Sequence, residues 1–250
     1  MLACRRIRVG VLWLSVVGVG VLTGCNFGQS CDYETRAMKL VAEVVDDGSS
    51  VRAEASFRSE DGGSATPIEL CEDDILTING TQPRETIKID RVTYSLTQPF
   101  EDAPRDFVFE LARSERDEIV RTSVTLPNVF EISSPANGES LSRADEVEIT
   151  WEPPEPEGEM RIEIGEMLGG GICIRTETAE HDYKRHGGIG VDDTGSWKIP
   201  AGTLATEVDE PCNALYKLTR TAIGDYPEAF DRGGYVEGRV QRMVAFESTP

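Results

Sequence analysis

The sequence predicts an all-β protein made of two tandem β-sandwich domains behind an N-terminal signal peptide. Three observations predict this fold class. Short runs such as residues 51–58 alternate apolar and polar side chains with a period of two, the pattern of a strand with one buried face. Turn-forming residues such as Asn79 and Gly80 separate these runs, and no helical period is sustained in the first half of the chain. The 250 residues suffice, after processing, for two domains of roughly 100 residues each.

An export signal is predicted over residues 1–24. Three arginines lie within the first eight residues, residues 9–22 are apolar or small, and the small residues Thr23 and Gly24 directly precede Cys25. A membrane-spanning helix needs roughly 20 apolar residues, whereas this run is shorter and rich in glycine and valine. We therefore expect the signal to be cleaved rather than retained.

The residues Leu22-Thr23-Gly24-Cys25 resemble the lipobox of bacterial lipoproteins. The resemblance implies that the Cys25 sulfur carries a diacylglyceryl group, that the signal is cut before Cys25, and that the new amino terminus is acylated, with palmitate as an expected chain. Residues 25–30 would then be a short lipidated tether, and two or more acyl chains would hold the protein firmly on a bilayer. Asn26 is not the aspartate that often signals inner-membrane retention, which favours an outer-membrane location. The alternative is an ordinary secretory signal whose cysteine merely lies near the cleavage site.

The first sandwich is predicted to span residues 31–127. Residues 40–58 indicate a hairpin around the turn at 46–49, and residues 107–126 indicate another hairpin around the charged tip at 114–118. Pro127 and Asn128 interrupt the strand-like pattern, so the joint between the domains is placed there.

Between these hairpins the alternation of apolar residues changes parity. The apolar residues Ile87 and Ile89 have odd numbers, whereas the apolar residues Val92 and Tyr94 have even numbers. A change of parity within one strand requires an extra residue, so we predict a bulge or bend near Asp90 and Arg91.

The second sandwich is predicted to span residues 128–250. Residues 147–154, in which Trp151 follows alternating residues and precedes two prolines, resemble the second strand of fibronectin type III modules. Residues 215–222 are similar to the late strand of that family, whose tyrosine matches Tyr216. The resemblance implies an Ig-like sandwich with Trp151 and Tyr216 in its core.

The six cysteines divide according to these boundaries. Cys4 leaves with the signal and Cys25 takes the lipid, which leaves Cys31, Cys71, Cys173 and Cys212 in an oxidising compartment. Four cysteines permit three pairings, but the domain boundary places two on each side and selects the disulfides Cys31–Cys71 and Cys173–Cys212. Neither pair has the spacing of a redox or zinc motif.

The charge excludes one class of partner. The chain has 45 acidic and 25 basic residues, a net charge of -20, and residues 1–24 contain three arginines and no acid, so the processed chain carries -23. Such a field repels nucleic acid and anionic surfaces, so no nucleic-acid binding is expected.

No cofactor, metal or catalytic group is predicted. His181 and His186 are five residues apart, next to two basic residues, which favours a loop over a zinc or acid–base site. The acidic pairs 46–47, 73–74 and 192–193 offer oxygen ligands for calcium, but none has the spaced pattern of a known loop, so they are interpreted as turns.

The sequence therefore favours a membrane-anchored envelope lipoprotein that acts as a non-catalytic binding module, with an envelope protein or glycan as its partner. The chain offers no recognisable set of nucleophile, base and orienting group. Two alternatives stay open. One is a carboxylate-based enzyme such as a glycan hydrolase, which needs two acids about 5 to 10 Å apart across a cleft. The other is a structural lipoprotein that assists assembly of a larger envelope complex.

Overall fold

The structure is a computed structural model that describes residues 27–60, 65–166, 188–204 and 210–250. The lipid-attachment candidate Cys25, the cysteine Cys173 and both histidines lie outside the described residues. The described chain forms seventeen β-strands and four short 3₁₀ turns, at Ser30–Asp32, Thr35–Ala37, Phe100–Asp102 and Ser114–Arg116. The prediction of an all-β fold is confirmed.

The first half forms a sandwich of two sheets. Two short strands, β1 (Gly28–Gln29) and β4 (Thr66–Glu69), lie at the edge of the larger sheet. The main strands of that sheet are β2 (Lys39–Asp46), β3 (Ser50–Ser59), β6 (Arg84–Lys88) and β7 (Arg91–Pro99). The opposite sheet contains β5 (Asp74–Ile78), β8 (Asp106–Arg113) and β9 (Glu118–Thr125).

The strand order of this half is that of an immunoglobulin constant-type sandwich. The larger sheet pairs its strands in the order β2-β3-β7-β6, and the smaller sheet in the order β5-β8-β9. If β1 and β4 are left aside, this places the first, second, fifth and fourth strands in one sheet and the third, sixth and seventh in the other. The sequence predicted a sandwich here but not this Ig-like order.

The second half is also a sandwich. One sheet contains β10 (Glu131–Ser134), β12 (Val147–Glu152) and β15 (Ser196–Ile199). The other contains β13 (Glu159–Glu166), β14 (Ile189–Asp192), β16 (Cys212–Ile223) and β17 (Tyr235–Thr249), with β11 (Glu139–Ser142) added in parallel to the end of β17. If β11 is left aside, the first, second and fifth strands form one sheet in the order β10-β12-β15, and the other four form the second sheet in the order β14-β13-β16-β17. This is an Ig-like sandwich in which the fourth strand, β14, lies in the same sheet as the third, sixth and seventh strands.

The two sandwiches share a sheet. Strand β17 pairs in parallel with β2, from Tyr235 opposite Val41 to Val240 opposite Asp46. The larger sheets of both halves thereby become one 11-stranded sheet. Pro127 and Asn128, at the predicted boundary, lie between β9 and β10 and outside any strand. The two halves are therefore connected by the chain at this point and also by the hydrogen bonds between β2 and β17.

The cores follow from the period of two. In β17 the even-numbered residues are buried and the odd-numbered residues face outward, so Val236, Val240 and Phe246 enter the interior. The prediction that Trp151 and Tyr216 are core residues is confirmed, because both are 0% exposed. The Tyr216 ring stacks on Phe246 with 4.3 Å between ring centroids.

One local prediction is wrong. Residues 87–96 do not form one strand with a bulge near Asp90 and Arg91, because Ile89 and Asp90 form a two-residue turn between β6 and β7. Lys88 pairs directly with Arg91 across this turn. A tight turn also changes the parity of alternation, which is why the pattern alone did not distinguish the two structures. The turn predicted at Asn79 and Gly80 is confirmed, since both residues have positive φ, 50° and 74°.

Candidate functional site

A groove lies on the outer face of the second sandwich. It has a volume of about 580 Å³ and lies over β13, β16 and β17. Odd-numbered residues of all three strands face outward and line it, because strand side chains alternate between the two faces. The lining residues are Glu159, Arg161, Glu163, Lys217, Thr219, Thr221, Ile223, Glu237, Arg239 and Gln241.

The groove is charge-balanced although the molecule is strongly acidic. Its lining holds three glutamates and three basic residues, whereas the whole chain carries -20. Each glutamate has a cation nearby. Lys217 Nζ lies 2.8 Å from Glu163, Arg239 lies 2.5 Å from Glu237, and Arg161 lies 3.4 Å from Glu159. The groove can therefore offer both signs of charge, and many hydrogen-bond donors and acceptors, to a ligand.

The charged face continues from the groove onto the first sandwich. Arg239 also lies 3.5 Å from Glu43 on β2, and the Tyr235 hydroxyl donates a 2.5 Å hydrogen bond to Glu43 Oε1. Burial, together with this hydrogen bond to a carboxylate, raises the pKa of Tyr235 to about 12. Glu54, Glu43 and Glu237 form one cross-strand row over β3, β2 and β17. Charged side chains on the outer face of the fused sheet thus continue from the groove onto the first sandwich, although the exposed Ile223 and Met243 lie on the same face.

A buried ion pair fixes the strands beneath the groove. Arg220, on the inner face of β16, lies 2.5 Å from Asp193, and their side chains are 2% and 0% exposed. Asp193 Oδ1 also accepts a 2.6 Å hydrogen bond from the Trp151 indole, and Arg220 donates to the carbonyl oxygens of Pro153 and Asn128. The pair at 192–193 was interpreted from sequence as part of a turn, and the chain does bend at residues 194–195 between β14 and β15. Asp193 is in addition a buried partner of Arg220. Nothing local distinguishes it from other turn aspartates.

A second arginine joins the two sandwiches. Arg242 on β17 lies 3.1 Å from Asp46 on β2 and 3.3 Å from Glu131 on β10. The Phe130 ring, just after the predicted joint, lies 4.8 Å from Arg220 and 6.0 Å from Arg242. Phe130 is 1% exposed, so these cation–π contacts are formed away from water.

The cysteines agree with the predicted pairing as far as the structure describes them. The disulfide Cys31–Cys71 is present, with Cα atoms 5.9 Å apart and a sequence separation of 40. Cys212 is disulfide-bonded, but its predicted partner Cys173 lies outside the described residues. Cys25 also lies outside them.

The other sequence candidates have structural partners of their own. Asp74 bonds to Ser30 and to Arg113, and Asp46 to Arg242. Burial opposes ionisation of Asp47, but hydrogen bonds from Ser49 and Ser50 outweigh it and lower the pKa of Asp47. Within the described ranges, no group of three or more His, Cys, Asp or Glu is placed to hold a metal ion. No helix in the described part of the chain has the length and hydrophobicity to cross a membrane.

Comparison with known proteins identifies no family. No protein-family model matches the sequence, and no curated protein matches it. Among solved structures, the I-band fragment I67–I69 from titin is 8% identical with a TM-score of 0.23, over 82% of this chain and 64% of that one. The titin Ig tandem domains A164–A165 are 10% identical with a TM-score of 0.23, over 85% and 98% of the two chains. Likeness of this degree carries no argument, so the Ig-like description rests on the strand order itself.

Proposed function

We propose that the mature protein is a lipid-anchored, non-catalytic module of the bacterial cell envelope that presents the groove to an envelope protein. The lipobox residues and the predicted acylation of Cys25 support the anchor. The Ig-like sandwiches support a binding or structural role, because such modules present surfaces and loops on a rigid framework.

The charge-balanced groove is the observation that carries the binding proposal. An acidic surface discourages most anionic partners, but the groove offers Lys217, Arg161 and Arg239 beside three carboxylates. A protein surface with both signs of charge complements this arrangement, and complementarity of this kind gives specificity and orientation. The lining contains no aromatic ring on which a sugar could stack. A protein partner is therefore favoured over a glycan.

The same residues weigh against the glycan hydrolase alternative. A glycosidase needs one protonated carboxylic acid and one free carboxylate facing each other. The three groove glutamates instead lie within 3.4 Å of a cation each. They are placed as members of ion pairs, which suits a recognition surface.

The binding proposal can be tested by site-specific photo-crosslinking in intact envelopes. A photoreactive residue at Thr221, inside the groove, is expected to yield a discrete protein adduct, and Lys217→Glu is expected to abolish it by reversing one charge. Lys198 lies outside the groove and pairs with Glu146 at 2.8 Å, so Lys198→Glu is the matched control and should leave the adduct intact. An adduct that survives Lys217→Glu, or no adduct from Thr221, contradicts the proposal.

The anchor can be tested separately. Mass spectrometry of the purified envelope form should show an acylated peptide that begins at Cys25. The Cys25→Ser protein should leave the detergent phase for the aqueous phase. An unmodified peptide at this position contradicts lipidation and leaves a freely secreted protein.

A further inference from the structure

Three of the five large hydrophobic side chains that are exposed among the described residues lie at one end of the first sandwich, and the other two, Ile223 and Met243, lie on the outer face of the second. Ile75 is 42% exposed and Ile119 is 69% exposed. They flank Ala112 in a single row across the outer face of the smaller sheet, because Ile75 pairs with Ala112 and Ala112 pairs with Ile119. Ile89, 73% exposed, lies in the β6–β7 turn at the corresponding end of the larger sheet.

The apolar surface does not extend along the sheet. The next outward-facing row is Thr77, Glu110 and Arg121, and Arg121 pairs with Glu110 across the strands. The two exposed large hydrophobic side chains of this sheet, Ile75 and Ile119, therefore both lie in its last outward row, and Val108 further along the sheet is half-buried. An exposed apolar row at one end of a sheet is typical of a surface that contacts another molecule or a membrane at that end.

This end is where the chain enters the fold. We call it the entry pole: residues 28–35, the start of β5 and the β8–β9 tip at 114–118. Ser30 Oγ donates a 2.6 Å hydrogen bond to Asp74, beside Ile75. Arg116 in the tip, close to Ile119, donates a 3.2 Å hydrogen bond to the Cys31 carbonyl. The disulfide Cys31–Cys71 covalently attaches the entering segment to the same end.

The tether between the proposed anchor and the entry pole is very short. Only Asn26 separates Cys25 from Phe27, which packs against the core, and Gly28 already pairs with Ile68. Two residue steps span at most about 7 Å. Acyl chains on Cys25 would therefore hold the entry pole against the bilayer.

We propose that the entry pole contacts a lipid surface directly, with Ile75 and Ile119 lying among zwitterionic headgroups. This inference rests on the lipid anchor of the proposed function. The apolar row gains favourable burial there. The pole and the residues directly next to it expose six acids, Asp32, Glu34, Glu72, Asp73, Glu115 and Asp117, against the two exposed bases Arg36 and Arg116. This excess repels anionic lipid, so the surface contacted is one without net charge.

The proposal can be tested with the lipidated full-length mature protein in vesicles of brominated phosphatidylcholine. Tryptophan fluorescence of Ile119→Trp and of Ile75→Trp should shift to shorter wavelength and be quenched, after the signal of the unsubstituted protein is subtracted. Met243→Trp is the control, because Met243 is 61% exposed but far from the entry pole. Tyr235 pairs with Val41 near the start of β2, and Met243 lies eight residues further along β17, roughly 27 Å away. It should show neither change. Anionic lipid should reduce the quenching at low salt, and added salt should restore it.

Each outcome decides the proposal. Quenching at both isoleucine positions but not at Met243 supports it. Vesicle-bound, lipidated protein without quenching overturns it and leaves the anchor intact. Isoleucine positions that are shielded only in native envelopes show that a protein covers the row, which also overturns it. Protein that carries no lipid on Cys25 and does not float with vesicles overturns the anchor and this inference together.

Discussion

The ion pair between Arg220 and Asp193 shows how single residues specify this fold. Bringing two charges out of water is costly, so such a pair contributes little net stability compared with well-packed apolar residues. Removing either partner is nevertheless costly, because it leaves the other charge buried and unpaired. Asp193 bonds to Trp151 and Arg220, and Arg220 reaches two backbone carbonyls, so the network holds β16 and the loops after β9, β12 and β14 together.

The Asp193→Asn protein should be destabilised by about 3–5 kcal/mol, because the buried Arg220 charge loses its partner. Chemical denaturation measures the effect. Glu146→Gln is the control, since it breaks the Lys198–Glu146 pair, whose side chains are 61% and 53% exposed. It should leave stability nearly unchanged, because the pair is exposed to water. Equal effects of the two substitutions would contradict a structural role for the buried pair.

Tyr235 gives the stability a dependence on high pH. Its pKa is about 12 in the folded protein and about 10 in an unfolded chain. The folded state therefore keeps a proton that the unfolded chain loses, and stability is full below about pH 10 and declines as pH rises toward 12. The Tyr235→Phe protein should lose less stability over this range. Denaturant titrations of both proteins at several pH values measure this difference, and identical losses would contradict it.

At the scale of elements, the β16–β17 hairpin completes the first sandwich as well as the second. Its connecting loop carries Phe230, which packs on Phe57 with 5.9 Å between ring centroids. The Tyr226 hydroxyl accepts a hydrogen bond from the Leu40 backbone N–H and donates one to the Asp231 carbonyl. A loop from the second half thus closes the interior of the first.

Gly234 tests this insertion. A Cβ there would overlap the Leu40 carbonyl oxygen and the Tyr226 hydroxyl, so Gly234→Ala should lower stability by on the order of 1–3 kcal/mol. At Gly165 on β13 an added Cβ would meet only the Leu215 side chain, at 3.5 Å. Gly165→Ala is therefore the control and should be neutral or slightly stabilising. Thermal denaturation compares the two. A tolerated Gly234→Ala would show that the loop is loosely attached.

At the scale of the whole molecule, the two sandwiches are joined through one shared sheet. The parallel pairing of β2 with β17, the Arg242–Asp46 contact and the burial of Phe130 all connect the halves. These contacts restrict how the groove is oriented relative to the entry pole. If the chain is anchored through Cys25 as proposed, they would also restrict the orientation of the groove relative to the membrane.

Because the buried side chains of both sandwiches form one core, the folded chain should unfold in a single cooperative transition. Calorimetry should give equal calorimetric and van't Hoff enthalpies. The Asp193→Asn substitution in the second sandwich should lower the whole transition rather than split it. Two separate transitions, with only one shifted by this substitution, would show that the sandwiches unfold independently.

The sequence by itself determined the features that depend on neighbouring residues. Period-two alternation placed strands, and Asn79 and Gly80 specified a turn. The core positions of Trp151 and Tyr216 were implied by the resemblance of their segments to fibronectin type III strands. The disulfide Cys31–Cys71 followed from two cysteines on each side of the joint and is confirmed. These features are local because strand parity and turn chemistry are set within a few residues.

Only the tertiary structure decided how these elements meet. The change of parity at residues 89–92 fits a bulge or a turn equally well, and the pairing of β6 with β7 selects the turn. The pairing of β2 with β17 joins residues nearly two hundred positions apart, and the roles of Asp193, Arg220 and Arg242 depend on the same long-range approach. Local patterns carry no information about which distant backbone or charge will be the partner, so the fused sheet and its groove emerge only when the chain is folded.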